Sequence, residues 1–126
     1  MTAPDEEEDI GEPQPPMFAD VETWVEAVYS TTYIRAKAAD IKWCSRWWSH
    51  PEAIVRLTAL WQTWEVAQIS QDPAAMADWI RTYLDWLNPP LLSAVGPFNE
   101  CNWTRHNQPQ PMPTEPVPAG WWGGPE

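Results

Sequence analysis

Downstream of Asp20 the apolar residues recur at three- and four-residue intervals, the period of helices that each bury one face. In the first such stretch Val21, Trp24, Val25 and Val28 share a side, and Asp20 ahead of them has the chemistry of an N-cap. The spacing carries this helix through Tyr29 towards Tyr33, where the β-branched Thr31 and Thr32 weaken it. A second, short helix is predicted over residues 40–48. Ser49 and Glu52 stand at capping-box spacing, and Pro51 suits a first helical turn. A third helix is therefore expected from near His50 to about Ile69, with Ile54, Leu57, Trp61 and Trp64 inward. Asp72-Pro73 opens a fourth, lined by Met76, Trp79, Ile80, Tyr83, Leu84 and Leu87. Asn88-Pro89-Pro90 is expected to stop it, because the residue before a proline is pushed out of the α region. The stretch up to Gly96 has room for one or two further turns. No run alternates with period two over the length of a strand. The pattern reads as an all-α fold, a small bundle of four to five short helices with disordered N- and C-terminal tails.

The tails declare themselves by composition. Ten of the fifteen prolines lie before Met17 or after Gln108, where no helix ladder has to be satisfied. Residues 1–16 hold six carboxylates and almost no apolar surface, and read as a disordered acidic arm. Residues 107–126 read as a disordered, extended proline-rich tail that ends in a Trp-Trp motif. The helical domain is then residues 17–106. Its ten acidic and seven basic residues leave it at 7 − 10 = −3, so most of the net charge of −11 belongs to the tails. Scattered Lys and Arg with no basic run argue against duplex DNA as a partner. No apolar stretch is long enough to span a bilayer, and the acidic N-terminus is the opposite of a secretory signal. A cytoplasmic location is the default expectation, and there two cysteines are more often thiols than a disulfide.

Eleven tryptophans are too many for a core of this size to absorb without comment. Trp24, Trp61, Trp64 and Trp79 fall on helical stripes and read as core. On a helix over 40–48, Trp43 and Trp47 would share one face, while Trp48 would point about 100° away from Trp47. A helix apolar on all sides must be covered on all sides or present an aromatic surface.

The segment "WCSRWWSHPEA", followed by "LTALWQTWE" and "GPFNEC", resembles a family of small actinobacterial proteins known only as a domain of unknown function. The matching positions are Trp43, Cys44, Trp47, Trp48, His50, Glu52 and Ala53, then Trp61, Trp64 and Glu65, then Gly96, Pro97, Phe98 and Cys101. The resemblance implies an origin on a phage, prophage or conjugative element, and it implies no activity.

Three chemistries compete for the same residues. Cys44, His50, Cys101 and His106 are the ligand set of a structural Cys2His2 zinc site, and zinc is the candidate cofactor. In one unbroken helix Cys44 and His50 would stand about 9 Å apart along the axis and about 240° round it, out of reach of a common ion. A break at Ser49-Pro51 could fold His50 back. The alternatives are a buried Cys44 with His50 as a helix cap, or a disulfide between Cys44 and Cys101. As a nucleophile Cys44 is poorly placed, because an apolar surround raises a thiol's pKa and makes it inert. No serine elbow, phosphate-cradling glycine loop or clustered carboxylate pair is present, so the chain reads as a non-enzyme.

Binding remains. Trp47, Trp48, Trp121 and Trp122 are the candidate partner-binding residues, since tryptophan is enriched at interface hot spots. The expected role is an accessory or adaptor protein of a phage or mobile element, acting by contact with another protein. Two alternatives stay open. A zinc-stabilised module could contact single-stranded nucleic acid by stacking, with Arg35, Lys37, Lys42, Arg46 and Arg56 near the second helix. An acidic DNA mimic would need carboxylates over the folded surface, yet a third of them fall within the first twelve positions.

Overall fold

A computed structural model describes residues 15–123. The acidic arm expected over 1–16 therefore lies almost wholly outside the described residues. Three helices and one 3-10 turn make up the regular structure, and only two isolated β-bridges occur among the described residues. Helix α1 covers residues 21–32, α2 is Pro51–Ile69 and α3 covers residues 75–92. None is long and apolar enough to cross a membrane. Residues 107–118 form neither helix nor strand.

Asp20 caps α1 as its chemistry suggests, accepting from the Thr23 backbone N–H at 2.8 Å and from the Thr23 hydroxyl at 2.7 Å. The start of α2 differs from expectation. His50 is the N-cap residue, with Pro51 in the first turn, and no side chain caps the helix. Ser49 donates instead to the Arg46 carbonyl, and Glu52 pairs with Arg56, so the capping box does not form. Residues 70–74 turn the chain, with Asp72 Oδ1 accepting from Ala74 N–H, and α3 returns along α2 as the second arm of a helical hairpin. The Trp79 indole N–H donates across this hairpin to Thr63 Oγ1 at 2.9 Å. Helix α1 closes the other side of α2 through Trp24 on Trp64, with ring centroids 6.1 Å apart. Phe18 also packs on Trp64, while Glu65 accepts from the backbone N–H groups of Met17 and Phe18 and from the Trp61 indole. The entry of the chain is thereby pinned to α2.

Both outer helices contain a five-residue π-turn, Val25–Tyr29 in α1 and Ile80–Leu84 in α3. In each, an N–H bonds five residues back, Ser30 to Val25 and Asp85 to Ile80. One extra residue per turn resets the phase, so the residue five along takes the inward place of the residue four along. That is why Trp24 is followed inward by Tyr29, and Trp79 by Leu84. Tyr83, expected to face inward, is exposed for the same reason, and Ile80, also expected inward, is exposed too. After the shift, Asn88, Leu91 and Leu92 continue the buried side.

Two further expectations are corrected. Helix α3 does not stop at Asn88 but runs through Pro89 and Pro90 to Leu92. Two intrahelical N–H bonds are absent there, and tertiary anchors hold the segment instead. The buried Tyr29 hydroxyl donates to Asn88 Oδ1, and the Leu92 carbonyl accepts from Lys42 N–H at 2.8 Å. The second helix, predicted over 40–48, does not form. Ile41 bridges to Ala38 and Ser93, and only Trp47–Ser49 make a 3-10 turn. Backbone pairing with the end of α3, through Ile41 to Ser93 and Lys42 to Leu92, takes the place of a helical ladder. Among the described residues the bundle is thus three helices with a structured crossing loop, fewer than the four to five expected.

The Tyr29–Asn88 bond tests this anchoring. Tyr29→Phe should leave the fold intact by circular dichroism but lower urea-unfolding stability by about 1–3 kcal/mol, because the Asn88 amide stays buried without that partner. An unchanged unfolding midpoint would contradict it.

Candidate metal centre

The crossing loop and the segment after α3 meet at one end of the bundle. Lys42 is tied to Leu92, and Trp43 beside it packs edge-on against Phe98 at 5.3 Å and tilted against Tyr29 at 5.9 Å. Cys44 follows and is completely buried. The 3-10 turn then brings His50 back to the mouth of α2. After α3 the chain doubles at Gly96, where a Cβ would collide with the Pro90 carbonyl and crowd those of Leu91 and Ser93. This close approach requires glycine. Phe98 accepts from Cys101 N–H to close a turn, and Asn102 builds the next one, its Oδ1 accepting from Thr104 and Arg105. That second turn curls His106 back beside Cys101.

The four side chains expected as ligands converge. One donor atom from each of Cys44, His50, Cys101 and His106 lies within 4.8 Å of every other. Cys44 Sγ is 3.1 Å from His106 Nδ1, and Cys101 Sγ is 3.5 Å from His50 Nε2 and 3.9 Å from His106 Nδ1. A tetrahedral ion with ligands about 2.0–2.3 Å away spaces them about 3.3–3.8 Å apart, so the set needs little adjustment to take one. Sequence alone had Ser49-Pro51 as the break that would permit this. The whole of 45–50 supplies it, because residues 42–46 form no helix.

The imidazoles are held in the tautomers that ligation needs. His50 Nδ1 lies 3.0 Å from the Pro97 carbonyl, which can only accept, so the proton belongs on Nδ1 and Nε2 faces Cys101 with its lone pair. His106 is reversed. Its Nε2 stands 3.1 Å from Gln108 Oε1 and 3.4 Å from Ser49 Oγ, leaving Nδ1 to the two sulfurs. The Asn107 backbone N–H donates to Cys101 Sγ at 3.3 Å.

Burial pushes the Cys44 thiol up to about 11, with the adjoining Cys101 adding to the rise and the Arg46 backbone N–H and charge opposing it. Burial draws His50 down, against the Pro97 carbonyl that favours its charged form. A neutral His50 is what a metal binds, while a Cys44 thiol that resists ionisation needs a cation to become a thiolate. The group is buried, with His106 at its partly open edge, and can hold a metal ion.

The other candidate residues separate. Trp47 is buried, so of the loop pair only Trp48, 58% exposed, presents a surface. Trp121 and Trp122 are exposed and lie away from the four ligands in sequence and in contacts. Of the residues that orient the ligands, Pro97 was named from sequence only as part of the Gly-Pro-Phe motif, and Asn102 and Gln108 were not singled out. Gln108 two residues beyond His106 and an Asx-type turn starting at Asn102 were the available signals. Replacing Gln108 by Ala should weaken metal binding by about tenfold in competition with a chelating dye. Equal affinity would show that the Nε2 partner is irrelevant.

The sequence profile of a family described as "Domain of unknown function (DUF4913)" matches residues 18–118, a span that contains all four ligands and their orienting partners. No curated protein and no solved structure matches the chain.

Proposed function

The chain belongs to the DUF4913 family, and from that footing we propose that it is a non-enzymatic accessory or adaptor protein of a phage or mobile genetic element. It is stapled by one structural zinc ion and acts by contact with another protein. The convergence of two sulfurs and two oriented imidazoles carries the reading. Two thiolates with two imidazoles in tetrahedral reach suit zinc better than the oxygen-seeking cations. Four protein ligands leave no position for a water or a substrate, which supports a structural rather than a catalytic ion. The origin rests on the resemblance of the Trp-Cys and Gly-Pro-Phe segments. Protein contact is supported by exposed Trp48, Trp121 and Trp122.

Zinc here ties two otherwise weakly held segments to the bundle. Native mass spectrometry of protein purified without a histidine tag should give one zinc per chain. Chelator should lower its melting temperature by at least about 10 °C, since each kcal/mol lost moves a domain of this size by about 4–8 °C. Cys101→Ser should bind no zinc and melt low with or without chelator. Protein without metal, melting unchanged by chelator, would overturn the zinc assignment.

A further inference from the structure

Away from the four ligands, the crossing loop and α1 enclose a hollow of about 100 Å3 walled by Tyr29, Tyr33, Trp43 and Trp103, with Leu92 at its base. Its walls are almost wholly apolar, because the Tyr29 hydroxyl is committed to Asn88. An apolar cavity of about 150 Å3 is enough to take benzene, so this one has the scale of a single ring or branched side chain. The rim is cationic. Arg35 lines it, and Lys37 stands 5.8 Å from the centre of the Trp103 ring. Neither makes an ion pair among the described residues, whereas Arg56 and Arg81 are paired with Glu52 and Asp78. From 27 to 51 the chain carries four basic residues and one acidic, Asp40, although the protein as a whole is at −11.

The geometry points to a docking site for a peptide segment of a partner protein in which an aromatic or branched apolar residue is flanked by carboxylates. The apolar side chain enters the hollow and the carboxylates meet Arg35 and Lys37. An ammonium ligand, the usual guest of an aromatic box, is disfavoured by those two cations. Single-stranded nucleic acid is disfavoured because its backbone needs a long cationic track, and the hollow admits one ring. Trp43 adjoins Cys44, and Trp103 lies between Cys101 and His106, so two walls are set by the metal centre. The assignment rests on the protein-contact reading above and supplies the chemistry of the partner.

The test is selection of a random dodecapeptide display library on the full-length protein, followed by fluorescence anisotropy with the selected peptide. Enrichment of an aromatic or leucine residue with two or more neighbouring carboxylates is expected. Trp103→Ala and Lys37→Glu should each weaken binding by about tenfold, and Trp48→Ala should not. Both pocket variants should keep wild-type melting and metal content. Peptides that lack carboxylates, or that bind Lys37→Glu as well as wild type, would overturn the site. Peptides lost only in Trp48→Ala would overturn it while leaving the adaptor reading in place. Displacement by an oligothymidine that binds tighter through Arg35 would make nucleic acid the occupant and refute the peptide.

Discussion

Two sulfurs and two imidazole nitrogens held within 4.8 Å of each other constrain everything at the open end of this bundle. To deliver them, residues 41–50 must give up a helix and residues 96–106 must turn twice. The costs are visible: a glycine fixed at 96, two helical bonds forgone at Pro89 and Pro90, and a buried Cys44 thiol that resists ionisation. A dication offsets the last of these directly, because it replaces the thiol proton and needs the neutral His50 that burial already favours. Metal, turns and crossing loop are therefore one device. The helices contribute Trp24, Leu57, Leu60, Trp64 and Trp79 to one hydrophobic core, which the loops complete with Cys44, Trp47, Phe98 and Cys101.

That division explains what could be read from the sequence. Helix α2 and the starts of α1 and α3 follow the ordinary 3.6-residue period and were legible. The period misleads beyond Trp79 because a π-turn adds one residue, and nothing in "IRTYL" announces it. Asn88-Pro89-Pro90 is a strong local stop signal overridden by the buried contacts of Asn88, Leu91 and Leu92. The aromatic loop failed as a helix for the opposite reason. Its local pattern is compatible with a helix, but long-range pairing with Ser93 and the thiol's destination decided its path, and neither is visible in local sequence.

The site was more legible than its surroundings. Two cysteines and two histidines in a chain this short allow one ligand set, and the structure brings all four together. The partners that orient them were hidden, because a backbone carbonyl at Pro97 leaves no mark in sequence and Gln108 sits in a segment that composition marks as tail. The family match extends to residue 118 and so includes that segment. Of the tryptophans, Trp24 keeps its indole N–H buried without a hydrogen-bond partner among the described residues. The others divide between core, the walls of the hollow, and open surface.

The central claim is that one zinc ion joins these four side chains. X-ray absorption at the zinc edge, on protein as purified from zinc-replete medium, tests it most directly. The account predicts stoichiometric zinc with two sulfur neighbours at about 2.3 Å and two nitrogen neighbours at about 2.0–2.1 Å. An oxygen-dominated shell, or no zinc with a sulfur–sulfur bond between Cys44 and Cys101, would contradict it.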